Sequence, residues 1–147
     1  MLFIKKIKFV LVAVLCVSAV SCKKKATPVQ NNGIDYVPVN LVIYPNDPLN
    51  VKIQTPGGWL YFNGGVYGII VYRKSPTEFV TLERASTYSP NNPDARVKVQ
   101  SDAFTLKDTI SNSTWRIYDG GVINGPATYP LRIYNNTYDG NALRVTN

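Results

Sequence analysis

The sequence predicts an all-β domain, and three observations carry that expectation. Ten tyrosines stand among abundant valine and isoleucine, the aromatic and β-branched side chains that pack well on a pleated surface. Ten prolines and ten glycines punctuate the chain at short intervals, which suits tight turns and interrupts helices. Beyond residue 26, no stretch of about 15 residues free of proline and glycine carries apolar residues at helical spacing. At 147 residues the chain has room for one domain with a hydrophobic core.

The N-terminus reads differently from the body. Lys5, Lys6 and Lys8 make a positive start, and residues 9–20 form an apolar run too short to span a bilayer. The run ends in Ala19-Val20-Ser21-Cys22, directly before Lys23-Lys24-Lys25. Small residues ahead of a cysteine at this place resemble the lipobox of bacterial lipoproteins. The resemblance implies cleavage before Cys22 and acylation of its thiol and amine, leaving a stably anchored chain, since each buried CH₂ contributes about 0.8 kcal/mol. A plain signal peptide or an uncleaved membrane helix is the alternative. The expected organisation is therefore a signal peptide over residues 1–21, a lipidated Cys22 with a flexible tether to residue 35, and a β domain over residues 36–147.

Charge and cysteine usage narrow the function classes. The six N-terminal lysines account for nearly all of the formal net charge of +7. The body is close to neutral, so composition offers no footprint for nucleic acid. Cys16 and Cys22 are the only cysteines, and there is no histidine. On the lipoprotein reading the mature domain has neither thiol nor disulfide, and burial must hold it together unaided.

The body then divides by its punctuation. Residues 36–44 alternate well enough for a first strand, and Pro45-Asn46-Asp47-Pro48 makes a turn. Residues 51–54 are a second candidate strand. Trp59-Leu60-Tyr61-Phe62 follows as a strand, with Asn63-Gly64-Gly65 as a hairpin turn. Residues 68–73 are almost wholly apolar, which predicts a strand covered on both faces. Ser75-Pro76-Thr77-Glu78 turns the chain into a strand at Phe79-Val80-Thr81-Leu82-Glu83.

The closing segment is the most legible. Gly120-Gly121 reads as a tight turn, Val122-Ile123-Asn124 as a short strand, Gly125-Pro126 as a corner, and Leu131-Arg132-Ile133-Tyr134 as a strand with inward apolar residues. With Tyr138-Asp139-Gly140 and Leu143-Arg144-Val145 behind it, the run resembles the closing segment of Rieske-type domains. That resemblance implies an antiparallel β-sandwich or barrel base with a small inserted, loop-rich lobe at about residues 84–119. It also implies a [2Fe–2S] cluster held by two cysteines and two histidines from two loops.

Here those ligands are missing. The first family loop, Cys-x-His, matches Ser86-Thr87-Tyr88, placing Ser86 at the cysteine position and Tyr88 at the histidine position. The second, Cys-x-x-His-Gly-Ser, matches residues 108–113, placing Asp108 at cysteine and Ser111 at histidine. Hydroxyls and a carboxylate are hard donors, ill matched to a sulfide-bridged iron pair, so no cofactor is expected. Asp94, Asp102 and Asp108 are too scattered for a calcium site.

Other chemistry finds no constellation. Without histidine a nucleophilic serine would need lysine or a carboxylate as base, and neither Lys98 nor Lys107 pairs with one. Glu78 and Glu83 flank one strand and lack the facing carboxylate of a glycosidase. The Gly57-Gly58 and Gly64-Gly65 pairs precede no helix that could complete a phosphate loop. An enzyme is not expected.

The reading that remains is a lipid-anchored, cluster-free Rieske-like binding or scaffolding module at the outer membrane or periplasmic face of a Gram-negative envelope. Its partner would be an envelope protein or a glycan, met through Tyr88, Asn91, Asn92, Asp108, Asn112 and Ser113. A Rieske electron-transfer protein and a glycan-binding surface lipoprotein are the rival readings. Asp108-Thr109-Ile110 further resembles an acceptor motif for O-glycosylation in some Gram-negative envelopes, with Thr109 as the modified residue.

Overall fold

A computed structural model describes residues 33–147. The segment read as signal peptide, the expected lipidation site Cys22 and most of the expected tether lie outside the described residues. Ten strands follow in order, β1 (Asn40–Ile43), β2 (Trp59–Phe62), β3 (Ile69–Arg73), β4 (Phe79–Glu83), β5 (Lys98–Val99), β6 (Thr105–Lys107), β7 (Thr114–Arg116), β8 (Val122–Asn124), β9 (Asn135–Tyr138) and β10 (Leu143–Thr146). They form three sheets, ordered β1-β10-β9, β2-β3-β4 and β5-β6-β7-β8, and every pairing is antiparallel. The fold is all-β. Among the described residues no helix is long and apolar enough to cross a membrane.

The β2-β3-β4 sheet is the middle layer, and alternation along β3 shows why. Ile69 and Val71 enter one core with Ile43, Ile53, Phe79, Leu143 and Val145. Ile70, between them, enters a second core with Leu82, Leu106, Trp115 and Ile117. Successive side chains on a strand point to opposite faces, so a continuous apolar run is what a doubly covered strand requires. All three side chains are fully buried, as residues 68–73 lead one to expect.

Two expected strands are not strands. Residues 51–53 belong to a 3₁₀ segment, Pro48–Ile53, begun by Asp47, whose side chain accepts from Leu49 N, and closed by Gln54. The proline is preset for the first helical position. Leu49 and Val51 face solvent while Ile53 is buried, an alternation that a short sequence window cannot tell from a strand. Residues 131–134 run beside β4 with one isolated bridge, Leu82 to Ile133. Their N–H groups go to different partners, Leu131 N to Gly120 O and Tyr134 N to Thr81 O, so no ladder develops. The segment still joins the first sheet to the middle one, since Glu83 N donates to Arg132 O at 2.9 Å.

Three boundaries also move. The expected first strand over residues 36–44 shortens to β1. Ile34, assigned to the tether, is buried, and Arg132 Nη1 donates to Asp35 O at 2.8 Å, so the packed body starts earlier than residue 36. The inserted lobe carries its own sheet and continues past residue 119, because β8 pairs with β7.

The aspartates serve turns. Asp102 accepts from Phe104 N and Thr105 N, and Asp139 from Asn141 N and Ala142 N. Hydrogen bonds, from Thr105 in the first case and from Ala142 in the second, hold these carboxyls below their usual range. Asp119 accepts from Gly121 N and is lowered chiefly by its Arg116 hydrogen bond. Short acidic side chains bonding two residues ahead are turn formers.

Candidate functional site

Three loops meet at the end of the lobe. The chain leaving β4 carries Ser86, Thr87 and Tyr88. The β6–β7 connection carries residues 108–113, closed by Asp108 N donating to Ser113 O at 3.0 Å. Asn112 supplies the left-handed residue of that turn, at φ 59°, a conformation asparagine tolerates better than most residues. The third loop follows β8, through a cis Gly125–Pro126 bond, to Ala127 and Tyr129.

Hydrogen bonds tie the three together. Ser86 Oγ donates to Asp108 Oδ2 at 2.8 Å, and Ser111 Oγ donates to the same oxygen at 2.7 Å. Asp108 Oδ1 accepts from Ile110 N at 2.8 Å. The Ser111 and Ser113 hydroxyls lie 2.9 Å apart, and Ser113 Oγ accepts from Ala127 N. Tyr129 O takes both Thr87 Oγ1 at 2.8 Å and Trp115 Nε1 at 3.1 Å. Buried polar groups are costly unless paired, and here each hydroxyl and carboxylate oxygen finds a partner.

The four positions matched to cluster ligands thus part company. Ser86, Asp108 and Ser111 come together, while the Tyr88 side chain points outward and only its N–H reaches Ser86 Oγ, at 3.3 Å. A [2Fe–2S] cluster does not fit this arrangement. The donors are two hydroxyls and a carboxylate, already closed on one another at hydrogen-bond distance, and thiolate or imidazole is what such iron requires. Among the described residues no three His, Cys, Asp or Glu side chains gather as a metal site.

The expected contact surface needs correction at two residues. Asp108 and Ser113 are fully buried, because each satisfies backbone donors inside the lobe, and neither can meet a partner. Asn92 is half-buried and caps the Pro93–Ala95 3₁₀ turn by accepting from Asp94 N. Asn91, Thr109 and Asn112 are exposed. Exposed apolar side chains crown the three loops, with Tyr88 52%, Ile110 55% and Tyr129 49% accessible. The sequence reading missed Ile110 as a surface residue, since an isolated apolar residue in a turn carries no periodic signal.

It also missed two buried charges in the base. Glu83 is fully buried. Its Oε2 accepts from Val66 N at 2.7 Å and Tyr134 Oη at 2.6 Å, and its Oε1 from Tyr67 N at 3.0 Å and Ala85 N at 2.9 Å. The Tyr134 phenol is pushed well above its ordinary value, by burial first and then by this bond. Gly65, at φ 62°, passes so close that a Cβ there would strike the Glu83 carboxylate and the Tyr134 hydroxyl. Arg73 is buried and donates to carbonyls of Ile53, Gln54, Ser75 and Pro76. Strand parity is the signal available for both. Glu83 shares a face with Phe79 and Thr81, and Arg73 with Ile69 and Val71.

No family model and no curated protein matches the chain. Among solved structures it is similar to the ferredoxin of carbazole 1,9a-dioxygenase from Nocardioides aromaticivorans IC177, with 16% identity, a TM-score of 0.47, and coverage of 75% of this chain and 97% of that one. It is also similar to a protein described as the small subunit of an NADH-dependent nitrite reductase from Mycobacterium tuberculosis, with 12% identity, a TM-score of 0.44, and coverage of 76% and 97%.

Proposed function

We propose that the chain is a lipid-anchored, cluster-free Rieske-like binding or scaffolding module of the bacterial envelope, and not an enzyme. The observation that carries this reading is the closure of the loop pair by Ser86, Asp108 and Ser111, at positions the sequence resemblance assigns to cluster ligands. Where a metal would bridge two loops, hydrogen bonds bridge them. The lobe is thereby fixed without a cofactor, and its outer rim of Tyr88, Ile110 and Tyr129 is left as a contact surface. Large, rigid aromatic side chains of this kind lose little conformational entropy on binding.

The anchor rests on the sequence around Cys22, and the partner is an envelope protein or a glycan. Thr109, beside Ile110 on the exposed part of the second loop, is the residue proposed for O-glycosylation, which would alter the same rim. Photo-crosslinking tests the surface in the native envelope. A crosslinker at Tyr88, Ile110 or Tyr129 is expected to give one discrete adduct, and one at outward-facing Thr137 on β9 none. Adducts from Thr137 alone would move the interface off the lobe. Stoichiometric iron and sulfide in the purified chain would restore the electron-transfer reading instead.

A further inference from the structure

A second place on the molecule, apart from the lobe rim, has the makings of a ligand site. Where the chain leaves β4 for the lobe, a cleft of about 290 Å³ opens between the β2–β3 connection, residues 63–68, and the side chains of Arg84 and Arg96. Each guanidinium is backed by an aromatic ring. Arg84 Cζ stands 3.7 Å from the Tyr61 ring centroid, and Arg96 Cζ 5.9 Å from that of Tyr67. The tyrosine behind Arg84 is fixed in turn, its hydroxyl accepting from Val99 N at 2.9 Å. Backbone bonds hold the root of the lobe, Arg84 N to Gly68 O and Val97 N to Arg84 O, and Arg84 Nε donates to Val97 O at 3.1 Å.

No acidic side chain lines this cleft. Glu83, beside Arg84 in the chain, acts favourably on the Arg84 charge but spends both oxygens on three N–H groups and the Tyr134 hydroxyl. The ion pairs among the described residues are Lys74 with Glu78 and Arg116 with Asp119, both elsewhere. Arg96 Nε is buried and has no hydrogen-bond partner among the described residues. Burial holds Arg84 below its ordinary basicity, and the charge of Arg96 adds to the effect. Two like charges partly removed from water cost free energy unless an opposite charge joins them.

We propose that this cleft binds a small oxyanion, phosphate or carboxylate, between the Arg84 and Arg96 guanidiniums. Planar guanidinium forks match the oxygen spacing of both groups and bind them with charge-assisted bonds. The volume sits at the lower end of the range for ligand pockets, which suits an inorganic anion or the acidic end of a larger molecule.

Phenylglyoxal modification of the unaltered full-length chain in detergent tests this, read residue by residue from peptide masses, with ionic strength held constant by chloride. Inorganic phosphate and acetate are the two probes, and exposed Arg144 is the internal control. If an anion binds, modification of Arg84 and Arg96 slows by about tenfold at roughly ten times its dissociation constant, while Arg144 reacts at its chloride rate. Protection by phosphate alone assigns phosphate, and protection by acetate extends the site to carboxylates. Equal rates in phosphate, acetate and chloride at Arg84 and Arg96, or equal slowing at Arg144, would overturn the proposal. Saturable uptake of labelled phosphate by equilibrium dialysis, lost in the Arg96→Gln chain, is the second expected result.

Discussion

Ser86 Oγ donates a 2.8 Å hydrogen bond to Asp108 Oδ2 across 22 residues of sequence. The bond joins the loop after β4 to the loop between β6 and β7, and it lies in the fully buried part of the lobe. It ties the two loops together directly, side chain to side chain. This junction of the two loops therefore rests on the Asp108 carboxyl group.

Asp108→Ala is accordingly expected to destabilise the chain by about 2–4 kcal/mol, since it strips the acceptor from two hydroxyls and the N–H groups of Ile110 and Ser111. Asp108→Asn should recover part of the loss, because one oxygen remains. Urea denaturation measures both. An Ala variant as stable as the parent would show that the network contributes nothing.

Tyr134 and Glu83 predict a response to alkali. Burial and the Glu83 bond raise the phenol's pKa in the folded state, whereas an unfolded tyrosine ionises near pH 10. The stabilisation is complete below about pH 10 and is lost as pH rises further, because the unfolded chain then releases a proton the folded chain retains. Tyr134→Phe should cost about 1–3 kcal/mol at neutral pH and flatten the decline above about pH 10. Denaturation midpoints across that window distinguish the two chains.

Gly65→Ala should be strongly destabilising for two separate reasons. The backbone is left-handed at this position, and the added methyl collides with the Glu83–Tyr134 pair. Strain of that conformation alone costs about 1–2 kcal/mol. Gly140→Ala, at φ 94° but with open space around its Cβ, isolates the backbone cost, and the difference between the two variants measures the collision.

The lobe rim should behave as surface. Tyr88→Ser and Ile110→Ser are expected to change stability by no more than about 0.5 kcal/mol while abolishing crosslinking from the third rim position. Loss of stability without loss of the adduct would make these residues structural.

For the anchor, Cys22→Ser in the full-length chain is expected to abolish acylation and shift the protein out of the membrane fraction. Intact mass and membrane partitioning read this directly. Unchanged partitioning would favour an uncleaved membrane helix.

Much of the base was legible from residue order. β2, β3 and β4 stand close to where the residue pattern put them, because one or both faces of each are buried and parity is then enforced. The apolar run Ile69-Ile70-Val71 announced the doubly covered centre of the fold. Where burial is one-sided over a few residues, the pattern misled. Leu49, Val51 and Ile53 alternate as a strand would, yet Asp47 and Pro48 begin a 3₁₀ turn.

What the sequence settled by itself is an all-β body, with loops that carry hydroxyls and a carboxylate. Both follow from residue types and local periodicity, which act over a few neighbours. Only the tertiary structure decided that Ser86, Asp108 and Ser111 close on one another, that Tyr88 turns outward with Ile110 and Tyr129, and that Glu83 is sealed inside with Tyr134. Those outcomes depend on which distant donors each buried oxygen meets, and hydrogen bonds between residues tens of positions apart leave no period in a sequence.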